Sequence, residues 1–153
     1  MNHPTAMSVQ IVLPQHCNGA ARPRLFGGQM MAWIDIIGAV AARRYTQRNV
    51  TTACVDNLSF LAPAYPGDTV VQQADITWTG RTSVEVRVLS YVEQLDGTRT
   101  LANRAYLIYV ALDEDERPTP VPAFVPETTE EKLEWAAALE RKRQRGEARS
   151  GRG

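Results

Sequence analysis

Cysteine and histidine are scarce in this 153-residue sequence. The cysteines are Cys17 and Cys54, and the histidines are His3 and His16. Two cysteines fall short of the disulfide framework of a small secreted domain, and these four residues are too few for a spaced zinc site. No charged, apolar and small-residue signal pattern opens the sequence. We therefore expect a cytoplasmic protein with reduced thiols and no bound metal.

An excess of one charge is also absent. Lys plus Arg and Asp plus Glu both number 17, which leaves no basic footprint for a nucleic acid or an anionic membrane. The longest apolar run, residues 30–42, is interrupted by an acid and is shorter than the roughly 20 residues that cross a bilayer. The Gly-x-Ser-x-Gly motif of serine hydrolases does not occur. We expect no nucleic-acid partner and no membrane span.

Extended segments dominate the sequence from residue 50 to residue 112. They are separated by short breaks that contain Gly80 and the Asp96-Gly97 pair, and turns this short join antiparallel neighbours. Residues 102–112 are apolar on both faces, which predicts an interior place in the sheet. An earlier run, Met7 to Leu13, alternates as a half-buried strand does. The other strands are predicted at Val50–Leu61, Thr69–Thr79, Ser83–Glu93 and Thr100–Leu112.

Two helices are predicted on either side of these strands. Good helix formers fill Gln29–Tyr45. A capping box of Thr128 and Glu131 begins a second helix that continues to about Arg145, beyond a proline-rich segment. Its high charge predicts a surface helix whose basic end, residues 141–145, is solvated. Its apolar contacts are predicted at Leu133, Ala136 and Leu139.

The informative anomaly is Asp35, the only ionisable side chain between Gln29 and Arg43. A helix apolar on all sides is expected to be buried on all sides, with a second subunit helping to close it. A carboxylate there must find hydrogen-bond donors or a cleft. Buried acids of this kind often act as a general base or nucleophile, although Asp35 could equally cap a neighbouring backbone group or face an interfacial water.

Gly27 and Gly28 precede this helix and leave backbone N–H groups bare at its positive end. Such groups can stabilise an oxyanion, although a tight turn is an equally good interpretation of two glycines. Asp35 lies seven residues beyond Gly28, on the same face and about 10 Å along the axis. A substrate carbonyl near Gly28 and the carboxylate could therefore share one groove.

Three segments resemble the hotdog-fold acyl-CoA thioesterases: residues 25–35 (LFGGQMMAWID), 55–63 (VDNLSFLAP) and 80–86 (GRTSVEV). The closest groups are the bacterial broad-specificity hydrolases and the repeated domains of cytosolic long-chain acyl-CoA hydrolases. The resemblance runs from about Val9 to Pro122. It implies an α+β hotdog fold, with a long central helix wrapped by a curved antiparallel sheet and, here, an extra C-terminal helix. The thioesterase domain then spans residues 1–125, the surface helix 126–145 and a disordered tail 146–153.

The resemblance also implies the reaction, which is hydrolysis of acyl-CoA thioesters to a free fatty acid and CoA. Asp35 activates water, either as a general base or as a nucleophile through an anhydride. Asn18 positions the reacting groups, and the Gly28 amide holds the carbonyl oxygen. Asp35 and Asn18 come from opposite chains of a homodimer with one continuous sheet, often assembled as a trimer of dimers. No cofactor is expected, because CoA is part of the substrate.

Substrate and CoA binding are assigned by the same resemblance to six residues: Gly27, Asn57, Phe60, Arg81, Thr82 and Ser83. Phe60 and Met31 are candidates to line the acyl channel. The positive charge that binds the CoA phosphates is expected from one or more of four arginines, and the sequence does not choose among Arg81, Arg104, Arg43 and Arg44. A non-catalytic acyl-CoA sensor is the alternative function, because the same fold can bind without cleaving. A hotdog dehydratase or hydratase ranks lowest, because neither histidine lies on the central helix.

Overall fold

One long helix lies on the inner face of a five-stranded antiparallel sheet, and a second helix lies on the outer face. The computed structural model describes residues 5–19 and 21–150. His3 and the last part of the predicted tail, residues 151–153, lie outside the described residues. The elements are β1 (Ala6–Ile11), a 3-10 turn (Pro14–His16), β2 (Cys17–Asn18), β3 (Arg24–Leu25), α1 (Gly27–Thr46), β4 (Asn49–Phe60), β5 (Thr69–Thr79), β6 (Ser83–Glu93), β7 (Arg99–Leu112) and α2 (Thr129–Ser150).

The sheet has the strand order β1-β5-β6-β7-β4, and every neighbouring pair is antiparallel. β5 and β6 have the predicted bounds, β4 is shifted by one residue at both ends, and β7 begins one residue earlier than predicted. The turn between β6 and β7 places Gly97 at φ 89°, a conformation that glycine adopts without strain. β7 lies between β6 and β4, so its predicted interior position is confirmed, as is the α+β hotdog fold.

The core lies between α1 and the inner face of the sheet. Alternate valines of β6 point into it, as the period of two predicts. The helix contributes a stripe of large apolar side chains at helical spacing. The buried core residues include Trp33, Ile34, Ile37, Ala41, Val84, Val86, Val88, Ala105, Leu107 and Tyr109.

Burial of α1 on all sides is wrong for the single protomer. Ile36 is 63% exposed and Met31 is 38% exposed, because the sheet covers only one side of the helix. β4 is an edge strand, and its Val55 is also exposed. An apolar helix face beside an uncovered sheet edge is a surface that proteins normally cover.

The apolar side chains of β1 do not face the core, although the alternation of the strand indicated that they would. Met7, Val9 and Ile11, the apolar set, are 47%, 61% and 59% exposed on the outer face. The inner face carries small and polar side chains. One of them, Ser8, hydrogen-bonds to Gln72 beneath α1. The strand ends at Ile11, so Leu13 lies outside it. β1 therefore presents an apolar stripe outward.

α2 begins with the predicted capping box. The Glu131 N–H donates to Thr128 Oγ1, and the Thr128 N–H donates to Glu131 Oε1. The helix continues to Ser150, beyond the predicted end at Arg145. No helix among the described residues is long and apolar enough to cross a membrane.

The predicted contacts of α2 are wrong. Leu133 and Leu139 are 68% and 40% exposed, and Ala136 is exposed, whereas Arg141 of the supposedly solvated end is buried. Arg141 forms two hydrogen bonds with Glu85, a fully buried acid on the outer face of β6. The helix therefore packs through Ala138, which is fully buried, and through the Arg141–Glu85 ion pair, rather than through the three predicted residues.

Candidate active site

Asp35 lies midway along α1, half-buried, at the point where the helix crosses β4 and β7. Its Oδ1 atom accepts two hydrogen bonds. Thr52 Oγ1 donates from β4 at 2.8 Å, and the Tyr109 hydroxyl donates from β7 at 2.9 Å. No described residue donates to Oδ2. One carboxylate oxygen is thus fixed by the protein, and the other is available to solvent or substrate.

The sheet register explains why these two donors meet at one oxygen. Thr52 and Tyr109 are paired directly in the β4–β7 ladder, and their side chains share the inner face. α1 passes over this pair with Asp35 facing it. The alternation of each strand therefore brings a hydroxyl from each to the same carboxylate.

Tyr109 is held in its protonated form by its surroundings. Burial, the negative charge of Asp35 and the hydrogen bond to that carboxylate all raise the pKa of Tyr109 far above its ordinary value. The phenol therefore stays neutral at any pH used in an enzyme assay. Its hydroxyl acts only as a donor toward Asp35 in this range.

The start of α1 presents backbone donors. Phe26 is the N-cap and makes no side-chain capping hydrogen bond. Its carbonyl accepts from the N–H groups of Gln29 and Met30, while no described residue accepts from the N–H groups of Gly27 or Gly28. A Cβ on Gly28 would lie 2.6 Å from the Phe26 ring, so glycine allows this ring to lie over the helix start. These amides can receive an oxyanion.

A cleft of about 370 Å³ lies beside the helix start. Two of the predicted substrate-binding residues, Gly27 and Phe60, line it, and Phe60 is 55% exposed. The rest of its wall is mostly apolar, as an acyl or pantetheine chain would require. Its lining is Arg24, Leu25, Gly27, Met30, Phe60, Leu61, Ala62, Pro63 and Ala64.

The structure does not bring all predicted residues together within one protomer. Asn18 is exposed in β2, paired with Arg24, and makes no hydrogen bond to Asp35. Asn57 lies in a bulge of β4 with φ 47°. Ser83 pairs with Val110, at the opposite end of β7 from the cleft.

The segment from Arg81 to Ser83 lies at the start of β6. The carbonyl of Arg81 accepts from Val121, and that of Thr82 accepts from Ala111. These carbonyls are therefore occupied, whereas the Arg81 side chain is exposed and the Thr82 and Ser83 hydroxyls bond to no described residue.

The candidate CoA cations are spread over the surface. Arg104 is exposed on β7. Arg43 and Arg44 line a second cleft, of about 540 Å³, at the C-terminal end of α1. Among residues 5–19 and 21–150, no three His, Cys, Asp or Glu side chains are grouped as metal ligands.

Sequence reasoning missed the two hydrogen-bond partners of Asp35, namely Thr52 and Tyr109. Thr52 lies in a strand rich in threonine and gives no distinct signal. Tyr109 lies in an apolar interior strand, where a phenol must find a partner. That rule predicts a hydrogen bond for Tyr109 but does not identify Asp35 as the acceptor.

The comparisons with known proteins agree with this geometry. The Thioesterase superfamily model matches residues 23–97. An uncharacterized acyl-CoA thioester hydrolase of Bacillus subtilis, YkhA, is 41% identical over 122 residues, which are 79% of this chain and 71% of the relative. The structure of an apo hexameric acyl-CoA thioesterase has a TM-score of 0.87 and 36% identity, covering 95% of this chain and 96% of the other.

A second solved structure is that of an acyl-CoA hydrolase from Staphylococcus aureus in complex with butyryl coenzyme A, coenzyme A and coenzyme A disulfide. Its TM-score is 0.86 at 33% identity, over 95% of this chain and 88% of the other. Fold and site together define a thioesterase of the hotdog class. The chain belongs to the thioesterase superfamily and, within it, to the hotdog-fold acyl-CoA thioesterases. The predicted family and enzyme class are confirmed.

Proposed function

We propose that this protein hydrolyses acyl-CoA thioesters to a free fatty acid and CoA, with Asp35 as the base that activates water. The observation that carries the proposal is the asymmetry of the carboxylate. Thr52 and Tyr109 hold Oδ1, and Oδ2 has no donor among the described residues. The matched relatives, which are named as acyl-CoA hydrolases, support the substrate class.

The proposed reaction has two steps. Oδ2 of Asp35 takes a proton as the oxygen of water attacks the thioester carbonyl carbon, which forms a tetrahedral oxyanion. The carbon–sulfur bond then breaks, and the departing thiolate takes up the proton held by Asp35. The products are a carboxylic acid and the CoA thiol. The reaction needs only water besides the substrate, so we propose no cofactor.

The oxyanion is proposed to lie at the start of α1. The N–H groups of Gly27 and Gly28 point out of the helix end, where the aligned peptide dipoles favour negative charge. The cleft beside them contains Phe60 and opens at this point. The acyl or pantetheine chain would lie in this cleft while its carbonyl oxygen contacts the amides.

We propose that each site combines groups from two chains. Gly28 and Asp35 of one chain are separated by about 10 Å along the helix, which is long for one carbonyl and one water to bridge. The uncovered edge of β4 and the exposed Ile36 support a dimer in which two β4 strands continue one sheet. Asp35 of one chain then faces Asn18 and Gly28 of the other, and a monomer would be inactive.

A trimer of dimers is proposed as the full assembly. The apolar stripe on the outer face of β1, formed by Met7, Val9 and Ile11, supplies further surface to cover. One matched structure is described as hexameric. We also propose a cytoplasmic location, where Cys17 and Cys54 would stay reduced, which agrees with their unpaired state.

Thiol release from a panel of acyl-CoAs, short to long, tests the proposed function. The wild type is expected to release CoA thiol and free acid in equal amounts, with its fastest substrate reporting the length of the channel. Heat-inactivated protein is the control for spontaneous hydrolysis. Tight acyl-CoA binding without release of thiol from any acyl-CoA of the panel would contradict hydrolysis. It would support the alternative function, a non-catalytic acyl-CoA sensor.

A further inference from the structure

Tyr109 is buried completely beneath α1, and its hydroxyl reaches Asp35. The hydroxyl oxygen lies 2.9 Å from Asp35 Oδ1 and 3.0 Å from the Asp35 carbonyl oxygen. A buried phenol needs a partner, but this one meets the single acid of an otherwise apolar helix. Its ring is fixed by the core, so the direction of its hydroxyl is fixed as well.

Gly38 makes this contact possible. It lies one turn beyond Asp35 and is itself buried. A Cβ at this position would overlap the Tyr109 hydroxyl oxygen and lie 3.2 Å from its Cε2 and Cζ atoms. Any larger residue would therefore displace the phenol. Glycine in the interior of a helix has a cost, and here it leaves room for the hydroxyl.

The two donors to Oδ1 differ in their exposure. Thr52 lies on the edge strand β4 and is exposed in the single protomer, so fewer neighbours hold its side chain in place. Tyr109 is fully buried, so no solvent can take its place. The carboxylate orientation depends more on Tyr109 than on Thr52 for this reason.

From these contacts we propose that Tyr109 is a positioning residue for the hydrolysis. By binding Oδ1 from below, it fixes rotation of the Asp35 carboxylate and presents Oδ2 to the attacking water. This inference rests on the proposed function, because it assumes that Asp35 is the base. Tyr109 is fully buried beneath α1 and reaches the site through its hydrogen bond to Asp35, so it acts only through Asp35.

The test is the Tyr109→Phe variant of the full-length protein, assayed with the acyl-CoA that the wild type hydrolyses fastest. We expect kcat to fall roughly ten- to hundredfold, as loss of a hydrogen bond to a charged group in a site allows. KM should change little.

Tyr106→Phe is the matched control. Tyr106 is also buried in β7 and also donates to a carboxylate, that of Glu134 at 3.1 Å, but on the outer face of the sheet. Its loss should lower the melting temperature by a similar amount and leave kcat and KM unchanged. A Tyr109→Phe variant with wild-type kcat would overturn the inference, as would equal losses of kcat in both variants.

Gly38→Ala gives a second test, because this variant keeps Tyr109 but moves its hydroxyl. Its kcat is expected to fall because the added Cβ pushes the hydroxyl away from Asp35. In the Gly38→Ala/Tyr109→Phe double variant, kcat should be no lower than in the less active of the two single variants, since both substitutions act through one contact. Losses that multiply would contradict the inference.

Failure of the inference is distinguishable from failure of the proposed function. If Tyr109→Phe keeps full activity while Asp35→Asn is inactive, only the positioning role of Tyr109 is wrong. If the wild type releases no thiol, or if Asp35→Asn stays active, the proposed function itself fails.

Discussion

The Asp35→Asn variant is expected to hydrolyse acyl-CoA roughly 10²- to 10⁴-fold more slowly than the wild type at saturating substrate. Asparagine has nearly the same shape, and its amide oxygen can accept from Thr52 and Tyr109 in place of Oδ1. The amide nitrogen then replaces Oδ2 and cannot take a proton from water. The loss should appear in kcat, measured by thiol release, while acyl-CoA binding persists.

Asp75→Asn is the control for this experiment. Asp75 lies on β5 and is half-buried like Asp35, and its Oδ1 accepts a hydrogen bond from the Thr5 N–H at 3.2 Å. It lies among the outer-face charges, 3.7 Å from Arg87, and is remote from the site. Its substitution should leave kcat unchanged. Substantial hydrolysis by a folded Asp35→Asn protein would contradict the assignment of the base.

The Arg141→Leu variant is expected to lose about 3–5 kcal/mol of unfolding free energy. Arg141 is 8% exposed and pairs through two nitrogens with Glu85, at 2.7 and 3.0 Å. Glu85 is fully buried and also accepts from Thr77 at 2.6 Å. Removing the arginine leaves a buried carboxylate without its cation, which is costly. Chemical denaturation of the intact assembly measures the loss.

Arg143→Leu is the matched control on the same helix. Arg143 pairs with Glu140 and Glu147 on the exposed side of α2, where water screens the charges. Its substitution should change stability little. The double variant Glu85→Gln/Arg141→Leu should recover part of the loss, because the buried charge is gone. If Arg141→Leu were no more destabilising than Arg143→Leu, the ion pair would not hold α2 on the sheet.

Local patterns predicted most of the fold. β5 and β6 were bounded correctly because Gly80 and the Asp96-Gly97 pair interrupt regular alternation. The capping box at Thr128 located the start of α2 for a similar reason. Asp35 was conspicuous because one acid in an apolar helix requires an explanation. Each of these signals lies within a few neighbouring residues.

Features set by tertiary packing were not predictable in this way. Thr52 and Tyr109 are 17 and 74 residues from Asp35, so only the sheet register brings them to one oxygen. The charge of residues 141–145 indicated solvent, because nothing in α2 shows that Glu85 lies opposite. The apolar side chains of β1 indicated the core, because its alternation does not say which face α1 covers.

A single turnover in H₂¹⁸O, with enzyme in excess over acyl-CoA, tests the central claim most directly. If Asp35 deprotonates the attacking water, the released fatty acid carries one ¹⁸O atom and the protein carries none. Unlabelled acid in this first turnover, together with ¹⁸O in the Asp35 side chain, would contradict the account. That result would mean that the carboxylate attacks the thioester itself and forms an anhydride.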